Sequence, residues 1–162
     1  MGKNEFALYA PMVAWLTQRL KEQYEPLGYD IIVEDTHSIT LETALRKHGV
    51  HRYFYDALGI DIEIDVLGII IKDDDVRLFF IEAKDDTLKL KDVGQLLIYC
   101  RIVAPQQAYL LSSKGLGQIE KLVLHLSRKD LLEYEYANEK AYIIAGKWDT
   151  VRNCIDLSCC TE

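Results

Sequence analysis

The sequence predicts an α/β protein: a mixed β-sheet flanked by helices. Two runs, 60–71 and 76–83, are dense in Ile, Val and Phe and separated by the polar segment Lys72-Asp73-Asp74-Asp75, the pattern of a β-hairpin. Two longer segments, 6–23 and 90–103, repeat apolar residues at helical spacing. Helical and strand periods then alternate along the chain, which is the arrangement of a sheet covered by helices. The 162 residues are read as a single domain, 1–162, long enough to bury a core.

The elements follow in order. Segment 6–23 is an amphipathic helix with Leu8, Val13, Leu16 and Leu20 among its apolar positions. Pro11 falls early, where it either starts the helix or kinks it. Pro26 and Gly28 end that region, and 29–34 reads as a first strand. Segment 40–48 reads as a short helix stopped by Gly49. The hairpin of 60–71 and 76–83 comes next. Segment 90–103 is a helix with Val93, Leu96, Leu97, Cys100 and Val103 on one stripe. A strand at 107–112 and a helix at 117–127, with Ile119, Leu122 and Leu126 at core spacing, follow. The chain closes on a hairpin of 133–137 and 141–145 about Asn138-Glu139-Lys140.

The hairpin carries the chemistry. Folding the chain about the middle of the Lys72–Asp75 turn sets Asp65 opposite Glu82 and Glu63 opposite Lys84. Directly opposed side chains on one face have Cβ atoms about 5 Å apart. Glu82 and Lys84 share a face, whereas Ala83 points away. Ile62, Ile64, Val66, Phe79, Ile81 and Ala83 make the opposite, core face. The reactive face carries Asp61, Glu63 and Asp65 and turns apolar at Leu67 and Ile69. A one-residue slip would undo the arrangement.

Two opposed carboxylates can supply oxygens to Mg2+, which takes few protein ligands and keeps waters for substrate. The main-chain carbonyl of Ala83 is a further candidate ligand beside Asp65 and Glu82. Such a metal acidifies a bound water and neutralises charge on a phosphate. Lys84 then orients or deprotonates the attacking water, or stabilises the negative transition state; the sequence leaves these roles open. A solvated sheet face with a Glu63–Lys84 ion pair is the rival reading. The apolar lead-in Leu78-Phe79-Phe80-Ile81 argues instead for a central strand.

Asp65 followed by Glu82-x-Lys84 resembles the signature of the PD-(D/E)xK nuclease superfamily. Gln95-Leu96-Leu97-Ile98-Tyr99 is similar to the Gln-x-x-x-Tyr motif of its RecB-like branch, and Holliday-junction resolvases are another branch. Glu5 matches the acidic residue that the family's first helix often carries near the metal. Ile64 stands where the pattern has Pro. The resemblance spans roughly 5–113 and implies a restriction-endonuclease-like αβββαβ core. It also implies a Mg2+-dependent deoxyribonuclease, with Mn2+ able to substitute, acting in DNA repair or recombination. Asp65 and Glu82 would bind metal, Lys84 assist the water, and Gln95, Tyr99 and Glu5 complete the site. Lys91, Gln95 and Tyr99 do fall four apart on one helical stripe, which can present an amide and a phenol toward the strand ends. A catalytically inactive module that binds DNA or a protein is the alternative, and an ion-paired hairpin in an unrelated fold is a third. Cutting both strands is compatible with a homodimer.

Charge runs against a DNA partner: the net charge is −7, and nucleic-acid affinity rests on neutralising phosphates. Lysines are nonetheless dense at Lys84, Lys89, Lys91 and Lys114, and Arg46, Lys47, His48, His51 and Arg52 interleave with aromatics. The four cysteines have no zinc spacing, so reduced thiols are expected; the four histidines likewise show no ligand spacing. No segment approaches the roughly 20 apolar residues of a membrane span, and no signal pattern opens the chain, so the expected location is cytoplasmic.

Overall fold

A computed structural model describes residues 4–162. Helix α1 (Phe6–Tyr24) precedes strand β1 (Asp30–Asp35), helix α2 (Leu41–Lys47), the hairpin β2 (Val66–Lys72) and β3 (Asp75–Lys84), helix α3 (Leu90–Val103) and strand β4 (Gln107–Ser112). After β4 come a π-helical segment (Glu120–His125), the hairpin β5 (Glu133–Tyr136) and β6 (Glu139–Tyr142), and strands β7 (Ile144–Asp149) and β8 (Cys154–Cys160). Six strands form one mixed sheet in the order β1-β2-β3-β4-β7-β8, and β5-β6 stand apart as a two-stranded sheet. Strands β3, β4 and β7 run parallel; β1, β2 and β8 are antiparallel to their neighbours. The expected mixed sheet flanked by helices is therefore present.

Each face of the sheet has its own core. On one, Leu8, Met12, Leu16 and Leu20 of α1 pack on Val66, Ile70, Phe79 and Ile81. On the other, Val93, Leu96 and Cys100 of α3, with Leu41 and Leu45 of α2, pack on Leu67, Ile69, Leu78 and Phe80. The expectation of one core face and one reactive face is corrected accordingly. Helices on both sides bury β2 and β3 on both sides, which is why these strands read as near-continuous apolar runs. Gly68 permits the close approach of α1: a Cβ there would meet Leu20, Leu16 and Phe79 at 3.0–3.1 Å.

The helices follow their local signals. Thr40 caps α2 by accepting from the Thr43 N–H, and Gly49 follows at φ +68°. Pro11 lies inside α1, in its second turn, and the helix continues through it. The α3 boundaries and the β4 boundaries match those expected.

Three expectations fail. The first strand of the hairpin begins at Val66, not Ile60, because 60–65 bonds elsewhere. The carbonyl of Ile62 accepts from the Leu41 N–H at 2.7 Å, that of Ile64 from the Thr36 hydroxyl at 2.5 Å, and that of Asp65 from the Thr36 N–H at 2.9 Å. Ile62 and Ile64 accordingly join the α3-side core, whereas Val66 joins the α1-side core. The helix expected at 117–127 winds as a π-helix over 120–125; its wider turn brings Val123 into the core and leaves Leu126 55% exposed. The strand expected at 141–145 is split: β6 ends at Tyr142 and β7 starts at Ile144, so the second half belongs to the main sheet. Strand β8, which holds Cys154, Cys159 and Cys160, was not anticipated; all four cysteines are free thiols.

Candidate functional site

The hairpin register is the one the turn predicts. Lys72 pairs Asp75 and Val66 pairs Ile81, so the next positions outward are Asp65 and Glu82. Asp65 stands one residue before β2, and its Oδ2 accepts from the Ala83 N–H at 2.8 Å. Glu82 and Lys84 end β3. Glu5 precedes the first turn of α1, and the Tyr9 hydroxyl donates to its Oε1 at 3.3 Å. Gln95 stands on α3. A cleft of about 380 Å³ at the carboxyl end of β3 is lined by Glu5, Asp65, Glu82, Lys84 and Gln95 together.

Tyr99 is not part of that lining. It packs against the α3-side core, and Gln95 Nε2 donates to its hydroxyl at 3.1 Å. Its link to the cleft thus runs through Gln95. Lys91 and Lys89 also line the cleft, as does Asp92, which is committed to the start of α3 by accepting from the Lys89 N–H at 2.8 Å.

Electrostatics concentrate on the carboxylates. Glu82 is 7% exposed. Its Oε1 accepts from Lys84 Nζ at 3.2 Å, while its Oε2 is buried with no hydrogen-bond partner among the described residues. Burial, with the Asp65 charge adding to it, pushes the Glu82 carboxyl up to about 8. Burial also pushes Asp65 up to about 6, against the pull of the Ala83 N–H and of Lys84. Burial acts to lower Lys84, but Glu82, Glu5 and Asp65 outweigh it and the ammonium is held above its ordinary range. The rival pairing of Glu63 with Lys84 does not form: Lys84 pairs with Glu82, and Glu63 is an exposed member of the cleft rim.

As the side chains stand, each carboxylate is turned to its own donor, and among the described residues no three His, Cys, Asp or Glu side chains converge as a ligand cage. The donor set still fits a hard divalent cation in kind: carboxylate oxygens, one of them buried without a donor.

His37 is among the cleft residues that sequence reasoning missed. It lines the cleft, its ring stacks on Tyr9 at 4.7 Å and meets Phe6 edge-on at 5.2 Å, and its Nδ1 lies 2.5 Å from Asp35 Oδ1. No local motif marks it; only the fold of β1 beside β2 brings it there. His51 is not among the lining residues.

Part of the basic cluster at 46–52 is ion-paired with acids outside it. Arg46 pairs with Glu42 at 3.0 Å, Lys47 and His48 each reach Glu34 at 2.9 Å, and Arg52 lies over the Tyr53 ring at 5.0 Å. No helix among the described residues is long and apolar enough to cross a membrane. Set against known proteins, the chain matches no family model, no curated protein and no solved structure.

Proposed function

We propose that the protein is a metal-dependent nuclease of the PD-(D/E)xK kind, hydrolysing DNA phosphodiester bonds with Mg2+ or Mn2+. The observation that carries this reading is the buried Glu82 beside Asp65 and Lys84 in one cleft, with one carboxylate oxygen lacking a donor among the described residues. Burying a carboxyl group with one oxygen unsatisfied is costly, so a protein that keeps one has a use for it. The helix-first order, three strands, a helix and a parallel fourth strand agree with the αβββαβ core of that superfamily, with α2 inserted between β1 and β2.

Asp65, Glu82 and the Ala83 carbonyl would hold the metal, with Glu5 as an additional acid. A bound divalent cation supplies an acidified water and a counter-charge for the scissile phosphate. The residues do the rest. The Ala83 N–H fixes the Asp65 carboxylate. Lys84, held protonated by three surrounding acids, orients the attacking water and offsets transition-state charge; it does not take the proton. Gln95, steadied by Tyr99, presents its amide to the substrate strand.

The test is a cleavage screen with Mg2+ and Mn2+ over linear, circular, single-stranded and four-way-junction DNA, with Asp65→Ala as control. Metal-dependent cutting that Asp65→Ala abolishes is the expected result. No cutting and no metal binding would end the reading. The net charge of −7 and the ion pairing of Arg46 and Lys47 favour one alternative, a binding module that has lost activity; metal binding without cleavage would select it.

A further inference from the structure

Ligands of open α/β sheets bind outside the carboxyl ends of the parallel strands. Three strands end there side by side: β3 at Lys84, β4 at Ser112 and β7 at Asp149. The cleft described above occupies only the β3 end. A second groove, of about 400 Å³, occupies the ends of β4 and β7, and Asp85 lines both. The two are joined through the backbone as well: the Ser113 N–H donates to the Lys84 carbonyl at 3.1 Å, and Asn4 in the groove adjoins Glu5 in the cleft.

The chemistry of this groove differs from that of the cleft. Where the cleft is crowded with acids, the groove has Asp85 and Lys114 as its charged members. Lys114 makes no contact ion pair among the described residues. Leu8, Pro11 and Trp148 supply an apolar floor, and Asn4 and Asn153 supply amides at the rim. Trp148 is 1% exposed, and its indole N–H is buried without an acceptor among the described residues. An apolar floor, amide edges and one cation match the parts of a nucleotide: a flat base with polar edges and a phosphate.

We infer that the groove at the ends of β4 and β7 is a nucleotide subsite that takes an unstacked base beside the cleft, so that the protein engages single-stranded polynucleotide. The inference rests on the nuclease reading for the identity of the cleft. A base inside a duplex is stacked and paired and does not enter such a groove without being extruded. Lys114 meets the adjoining phosphate, and Asn153 meets a base edge. The single cation in the groove's lining, Lys114, fits a substrate held there by base contacts more than by phosphate neutralisation.

The experiment is fluorescence anisotropy with a labelled oligothymidylate, in Ca2+ to suppress turnover, alongside calorimetric Mg2+ titration. Lys114→Ala and Asn153→Gly serve as variants; both residues are exposed, and glycine keeps the φ of +53° at position 153. Each is expected to weaken oligothymidylate about fivefold or more with Mg2+ binding unchanged. Wild type is expected to bind the single strand at least tenfold tighter than the matching duplex. Equal affinity of both variants and wild type, tighter duplex binding, or no oligothymidylate binding would overturn the subsite. Loss of Mg2+ binding alone, with oligothymidylate binding still dependent on Lys114, would instead remove the nuclease reading and leave the groove as a single-strand site.

Discussion

The main-chain N–H of Ala83 donates to Asp65 Oδ2 at 2.8 Å, tying an acid outside strand β2 to the strand beside it. Asp65 stands one residue outside β2, where its carbonyl still accepts from Thr36 in the register of β1, and its side chain continues the hairpin register by one step. The site is therefore an extension of the sheet made with a side chain in place of backbone.

That bond makes Asp65→Asn an informative variant. The amide oxygen keeps an acceptor for Ala83, while the charge that repels Glu82 is removed. The metal-free variant is expected to gain about 1 kcal/mol, read as a rise of a few degrees in Tm. Its Mg2+ affinity is expected to fall at least tenfold by calorimetry. A metal-free Tm below wild type would contradict the electrostatic account.

The raised carboxyls also set the pH dependence of stability. In the unfolded chain Asp and Glu lose their protons near 3.8 and 4.5; in the fold Asp65 holds its proton to about 6 and Glu82 to about 8. Between these values the folded state binds more protons than the unfolded state, so stability falls as pH rises through that window. Thermal unfolding of metal-free protein from pH 4 to 9 should show this decline, and Glu82→Gln should flatten most of it. Millimolar Mg2+ should offset the decline, because the cation replaces the proton as counter-charge. A metal-free Tm that climbs from pH 5 to 8 would refute the assignment.

Much of this was legible in the sequence, and the failures share one cause. Hairpin register, helix α3 and the grouping of Asp65, Glu82 and Lys84 follow from local periodicity and turn position, which a single sequence carries, whereas Glu5 and Gln95 were expected at the site only through the family resemblance. The start of β2 was misread because Ile60–Ile64 has strand composition but spends its carbonyls on the β1–α2 connection. His37 was missed for the same kind of reason: only tertiary pairing of β1 with β2 delivers it to the cleft. The Glu63–Lys84 pair failed because Glu63 lies in that non-strand segment, leaving Lys84 to Glu82.

Lys84 provides the sharpest division between mechanisms. Its ammonium is held above its ordinary range by Glu82, Glu5 and Asp65, so it enters the reaction charged. Lys84→Ala should lower the cleavage rate about 100-fold or more at saturating metal, with the loss constant from pH 7 to 9. Lys84→Arg keeps the charge and should recover part of the rate. A loss in Lys84→Ala that shrinks steadily with rising pH would mean that the lysine acts as the base.

Gly68 separates fold from site. It sits in the middle of β2 under α1, where a Cβ would press on Leu20 and Leu16 of the helix and on Phe79 of β3 at 3.0–3.1 Å. Two of these contacts are ends of leucine side chains, but the third is the Phe79 Cβ, which is anchored to the backbone and cannot swing away. Gly68→Ala should therefore strain the α1–β2 contact and cost about 1–3 kcal/mol, measured by urea unfolding. Because α1 also carries Glu5 and Tyr9 at its far end, a rigid shift of the helix would weaken metal binding in step with stability. A local adjustment confined to Leu16 and Leu20 would leave metal binding at its wild-type value. Calorimetry on the folded variant distinguishes the two, and the short reach of side-chain repacking predicts the second. An unchanged unfolding free energy would show that the α1–β2 interface is looser than these distances imply.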